Sequence, residues 1–402
     1  MNWKTRVLEY INSLRIKDDA GFASVEGKRR TVYGTGYALQ TLHFLNALDN
    51  SHNNDLDWLL DCQDAESGWF VGDEFSTIPK GQQHDISHLS LHLTCSSALP
   101  AIDNMGARPT HPFRSFERFL DRTHLLQWLN ERDLSNPWYE GNNLLFVGQL
   151  IDWHQRIEAG KEWKERLRDW FDFHDQHFDI ETGMWGTDEG ASTRAAMCGA
   201  YHQLILYWHH SHPVNHWQRL IDCTLSLQHA DGGFSETLGG GACEDIDAID
   251  ILVNCYHRFD YRRSEIRDAL LAARRLILSI QNPDGGFPYK RGATNVHMGM
   301  KDTRTSRGGS GIFPTWFRVH ALALIDRVVQ QENFGMQFNN SVCMGGYCQP
   351  EGKLLPCSVS LSEQERLRRR VRNDKLTRAV KEYSKLTLKL PFRAVKRLLA
   401  TG

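Results

Sequence analysis

The chain has 402 residues, 41% hydrophobic and 24% charged, which is enough to bury a large core as one repeat domain or two ordinary ones. No stretch approaches the ~20 apolar residues of a membrane span. The charged start MNWKTRVLEYINSLR lacks the form of a secretory signal, and nine scattered Cys fit the reduced thiols of a cytosolic chain better than a disulfide framework. The net charge of −2 hides an asymmetry: residues 361–402 hold 13 Lys/Arg against 4 Asp/Glu, which leaves −11 for the rest.

Taken in order, the chain repeats itself. Apolar-periodic segments predict helices over Val32–Leu48, Ile86–Leu99, Asn142–Arg156, Arg194–Trp208, Ile246–Cys255 and Thr315–Val329. More amphipathic helices precede them, as at Trp163–Phe173, Trp217–Leu227 and Arg263–Ile280. Between the two kinds lie glycine-aromatic turns: Gln63 to Gly68-Trp69, Gly183-Met184-Trp185, Gln228 to Gly233-Phe234, and Gln281 to Gly286-Phe287. A unit of about 50 residues therefore reads as outer helix, turn, inner helix. Six such hairpins would close an all-α toroid over residues 1–335, with inner-helix N-termini around a central cavity. Residues 336–360 read as a linker and 361–402 as a basic amphipathic tail.

The stretch DGGFSETLGGGACEDIDAID, residues 231–250, concentrates carboxylates where a glycine run delivers the chain to a helix. Glu244, Asp245, Asp247 and Asp250 exceed what N-capping needs, so they are expected to be catalytic. Other polar residues are expected at the same rim to bind substrate. These are His84 and His88 from HDISHLSLH, Glu140 and Asn143 from WYEGNN, Asp188, Glu189 and Arg194 from GTDEGASTR, then Arg304, Arg307 and Trp316, with Arg318 closing the ring. His84, His88 and His92 fall on one helical face as a stripe of inner-wall histidines.

The repeats Gln228-His-Ala-Asp-Gly-Gly-Phe234 and Gln281-Asn-Pro-Asp-Gly-Gly-Phe287 resemble the QW-type motifs of the terpenoid cyclase and protein prenyltransferase superfamily, over about residues 20–330. That resemblance implies an α/α toroid. Class II terpene cyclases, such as squalene-hopene cyclase, carry Asp-x-Asp-Asp after such a turn. Asp245-Ile246-Asp247-Ala248 is similar, with Ala248 at the last position and Asp250 nearby. The resemblance implies Asp247 as the acid that protonates an isoprenoid substrate and Asp245 as its partner. Prenyltransferase β subunits bind zinc through Asp, Cys and a His in the last inner helix, but Gly311–Phe317 opens without a His, so no metal and no cofactor are expected.

The polar rim also suits a second class. α/α toroids host glycoside hydrolases, polysaccharide lyases and uronate epimerases, in which Trp69, Trp138, Tyr139 or Trp185 could stack on sugar rings, on an acidic or lipid-linked glycan. A non-enzymatic docking scaffold is the third reading. The tail alternates basic and apolar residues around Pro391, as segments lying on anionic membranes do, so peripheral membrane contact from the cytoplasm is expected. Nucleic acid is not expected as a partner, since no recognised fold accompanies the charge. Cys343, Cys348 and Cys357 in the linker lack a paired C-x-x-C.

Overall fold

A computed structural model describes residues 2–17, 19–77, 86–158 and 161–331, with 344–345, 354–356, 366 and 369. Almost all of the tail, most of the linker (Cys343, Cys348 and Cys357 included), His84 and Asp85 lie outside the described residues. No helix among the described residues is long and apolar enough to cross a membrane.

Six inner helical segments form the ring: α2 (Val32–Phe44), α4 (Ile86–His92) with α5 (Leu99–Asn104), α7 (Pro137–Glu158), α9 (Thr193–His209), α11 (Ala242–Arg258) and α13 (Ile312–Val329). Outside them run α1 (Trp3–Ser13), α3 (Asn53–Asp61), α6 (Arg122–Asn130), α8 (Lys161–Gln176), α10 (Trp217–Ser226) and α12 (Arg263–Ser279). Neighbouring inner helices pack in chain order, and α13 packs back on α2, so the ring is closed. The toroid expected from the repeats is the observed fold. Inner helices bury nearly every residue while outer ones bury one stripe, as their two kinds of periodicity require.

The turns hold the ring together by two recurring devices. In the first, a glutamine side chain bridges its own turn and the next outer segment. Gln228 Nε2 donates to Gly232 O at 3.0 Å and to Ala269 O of α12 at 2.7 Å. Gln281 Nε2 donates to Gly285 O at 2.8 Å and to Trp3 O of α1 at 3.0 Å, which joins the last repeat to the first. Gly285, at φ +93°, rests so close to α1 that a Cβ there would lie 2.0 Å from Arg6 O.

In the second device, the buried N–H of the turn aromatic donates to a side chain on the following inner segment. Phe22 N reaches Thr35 Oγ1 at 3.0 Å, Phe70 N reaches Thr94 Oγ1 at 3.1 Å and Phe287 N reaches Thr315 Oγ1 at 3.0 Å. This corrects one alignment. In the Gln63 repeat the buried aromatic equivalent to Phe234 and Phe287 is Phe70, while Trp69 is half-buried against Phe113.

The second inner segment is the irregular one. Pro100 has no N–H for the carbonyl of Ser96, and the helix passes through a π-helical stretch, Leu93–Ala98, between α4 and α5. Gln40 Nε2 of α2 donates to the carbonyls of Ser96 and Ser97, both at 3.0 Å. Past the toroid, Met344 is buried in the core and Leu355–Pro356 pairs with Phe259–Asp260, so this part of the expected linker packs back on the ring.

Replacing Gln281 with Ala removes the donor that ties the last turn to α1 and leaves two carbonyls without it. We expect a loss of about 1–3 kcal/mol, read as a lower urea midpoint with an unchanged m-value.

Candidate active site

A cavity of about 470 Å³ opens where the inner helices begin. Its wall includes His88, His92, Trp138, Tyr139, Asn142, His202, Cys243, Asp247, Tyr289, His297, Phe313 and Phe317. Asp247 supplies the single carboxyl group on this wall among the described residues.

The acidic stretch divides into separate roles. Gly241 caps α11, Glu244 and Asp245 stand in its first turn, and Asp247 falls in the second. Asp245 is the fourth residue of α11, as Thr35 is of α2 and Thr315 of α13. It does the same work: Oδ1 accepts from Phe234 N at 2.6 Å, and Oδ2 from Gly241 N at 3.1 Å. Gly240 approaches so closely, at φ +69°, that a Cβ would lie 2.6 Å from Asp245 Oδ2. Unlike Thr, Asp brings a charge into the core, and the buried Arg318 of α13 neutralises it at 2.5 Å. Arg318 is therefore a core cation and not a rim residue.

Asp247 differs. It is 1% exposed, and its Oδ2 has no hydrogen-bond partner among the described residues. Burial holds its carboxyl well above the usual carboxylate range; the Cys198 thiol pulls the other way, and the charges of Glu244, Asp250 and Asp245 add to the rise. Its surroundings therefore disfavour the ionised form of the Asp247 carboxyl. Glu244 is also raised, chiefly by burial, and accepts from Tyr289 Oη at 2.8 Å, which holds that ring at the cavity. Asp250 lies off the wall and accepts from Asn254 Nδ2 at 2.9 Å.

Across the cavity from the acidic helix, three expected residues form a chain. His88 Nδ1 meets Asn143 Oδ1 at 2.5 Å, Asn143 Nδ2 donates to Glu140 Oε2 at 3.0 Å, and Arg132 pairs with Glu140 at 3.2 Å. Because Asn143 spends its amide N–H on Glu140, its oxygen faces His88, so Nδ1 carries the proton. Nε2 is then the basic nitrogen. Asn143 and Glu140 thus sit behind His88 and not on the wall. Tyr139 stacks on His88 with centroids 4.6 Å apart.

His92, His202 and His297 complete the lining, and burial keeps all three imidazoles neutral, with His202 pushed down to about 4 and His297 to about 3. Neither ring nitrogen of His92 has a hydrogen-bond partner among the described residues. Tyr33 Oη holds His297 Nδ1 at 2.7 Å. The sequence reading did not single out His202, His297, Tyr289 or Cys198. His202 was legible as a polar residue inside an inner helix, whereas His297 sits in an irregular stretch with no period.

Several expected residues are not at the cavity. Asp188 and Glu189 are exposed, as are Arg304 and Arg307, the latter donating to Gly292 O at 2.9 Å. Arg194 Nε donates to Phe234 O at 2.8 Å and braces the turn. Trp316 is buried against Tyr37 and His320, one position from the wall residue Phe317. Trp185 is core, while Trp138 and Tyr139 do line the cavity.

The sequence model of the prenyltransferase α/α toroid domain family matches residues 2–143 and 144–304. The chain belongs to the prenyltransferase α/α toroid domain family. No curated protein matches this toroid in sequence. Among solved structures it is similar to a polysaccharide lyase, at 11% identity and a TM-score of 0.42 over 83% of this chain and 99% of that one. It is also similar to a possible member of the GH105 family from Salmonella enterica serovar Paratyphi A, at 14% identity and a TM-score of 0.38 over 82% of this chain and 94% of that one.

The two aspartates of this toroid predict opposite stability effects. Arg318→Met strands the Asp245 charge in the core and should cost about 3–5 kcal/mol in urea unfolding. Asp247→Asn should cost little. The raised Asp247 group contributes its stability fully below its unfolded value, and that contribution is lost as pH rises through the folded value. The Asn variant should therefore lose less stability than wild type as pH rises from the ordinary carboxylate value of 3.8, measured by urea midpoints across that rise.

Proposed function

We propose that the protein is an acid catalyst in which Asp247 protonates a π-bond of an uncharged substrate and His88 Nε2 takes a proton from the resulting cation. The observation that carries this reading is Asp247 itself: one buried carboxyl group pushed toward its protonated form, with an oxygen without a partner, on a wall otherwise free of carboxylates among the described residues. An ionised acid could not donate, and burial is what keeps the proton on.

An isoprenoid is the favoured substrate. Trp138, Tyr139, Tyr289, Phe313 and Phe317 give an aromatic wall able to stabilise a developing cation. Asp247 O–H adds its proton to an alkene carbon, and the cation closes on a second π-bond or rearranges. Loss of an adjacent proton to His88 restores neutrality, and return of that proton through solvent recharges Asp247. Neutral imidazoles around the cavity would intercept a long-lived cation, so a short sequence with few ring closures is expected.

One observation favours the carbohydrate alternative. Both nitrogens of His92 stand unsatisfied in the same cavity, and a hydrocarbon would leave them so, whereas a sugar hydroxyl would not. On that reading Asp247 and His88 act as acid and base on an unsaturated or acidic glycan, with Tyr139 as a stacking platform.

Mass spectrometry of products from linear isoprenoids and from oligosaccharides separates the two. Asp247→Asn should abolish turnover, by roughly a thousandfold or more, with an unchanged circular dichroism spectrum, since general acid catalysis accounts for about 10²–10⁴. Wild-type activity should fall as pH rises and Asp247 ionises. Full activity of the folded Asn variant would refute the assignment.

A further inference from the structure

The inner helices carry a second cluster at their other ends. Asp152 lies ten residues beyond the wall residue Asn142, about 15 Å along α7, and His209 and His210 stand at the C-terminal end of α9. Asp152 is buried to 1% exposure, while the two imidazoles are 22% and 25% exposed. One donor atom from each of the three lies within 4.8 Å of the others.

The spacings are those of ligands. A tetrahedral ion bonded to nitrogen and oxygen at about 2.0–2.2 Å sets its donors about 3.4 Å apart. His210 Nε2 lies 3.0 Å from Asp152 Oδ1, and His209 Nε2 lies 3.6 Å from Asp152 Oδ2. Both imidazoles thus aim a ring nitrogen at the same buried carboxylate, one at each oxygen. The carboxylate already holds a positive group: Arg156 Nη2 reaches Asp152 Oδ2 at 2.7 Å, on a side chain one-third exposed and able to swing into water.

We propose that Asp152, His209 and His210 bind one divalent transition-metal ion of the zinc class. Two imidazoles and a carboxylate are a zinc donor set, with a fourth position left to water on the exposed side. The ion would displace Arg156 and clamp α7 to α9 at the end of the ring away from the cavity. None of the residues proposed for catalysis takes part in it.

Zinc titration of the tag-free full-length chain against a chromophoric chelator tests this. One tight equivalent is expected, weakened by more than about a hundredfold in His210→Ala and in Asp152→Asn, since losing a ligand costs more than losing an outer partner. Arg156→Ala should bind zinc several-fold more tightly because the competing cation is gone. Equal affinity in wild type and His210→Ala would overturn the proposal, as would the absence of a tight equivalent. Should the variants misfold, diethyl pyrocarbonate labelling of wild type still decides: zinc should protect His209 and His210 but not His111, and unchanged labelling would overturn the site.

Discussion

The structure depends on satisfying one backbone N–H at each of four turns. There Phe22, Phe70, Phe234 and Phe287 are buried, so the N–H of that residue cannot reach water, and an unsatisfied buried donor costs about 1–3 kcal/mol. The following inner segment supplies the acceptor, from Thr35, Thr94, Asp245 or Thr315. At Thr35, Asp245 and Thr315, each the fourth residue of its helix, that bond sets where the inner helix starts relative to the turn before it. At those three positions it brings helix N-termini toward the face where the cavity opens.

The third of these acceptors explains the acidic helix. Where other repeats use a hydroxyl, this one uses a carboxylate, and its charge then requires Arg318. Asp247, two residues on, points about 200° around the helix from Asp245. One carboxyl meets an arginine and two N–H groups; the other meets the cavity, a thiol and little else. The same side chain is thereby ion-paired at 245 and pushed toward its protonated form at 247.

The opposite wall is built on a different plan. His88 owes its tautomer to a chain running through Asn143 and Glu140 to Arg132, drawn from α4, α7 and the end of α6. The Pro100 break shapes the same wall, since the π-helical stretch it accompanies begins at the residue after His92. Asp247 and His88 are thus held by independent parts of the ring.

The helical hairpins were legible because burial on a ring imposes a period: inner segments buried all round read as apolar throughout, outer ones as striped. The turns were legible through glutamine and glycine, although the one-residue slip at Trp69 and Phe70 shows that an aromatic pair leaves the buried member undecided until packing chooses it. What the sequence by itself determined was therefore the count of repeats, their order and the placement of an acidic helix at a turn. Tertiary structure alone decided which of four neighbouring carboxylates met an arginine and which met the cavity, and that Arg304, Arg307, Asp188 and Glu189 face water while His202 and His297 face the cavity. The reason is physical: pairing and exposure depend on groups distant in the chain, such as Arg318, 73 residues from Asp245, and Tyr33, 264 from His297, whose approach no local period encodes.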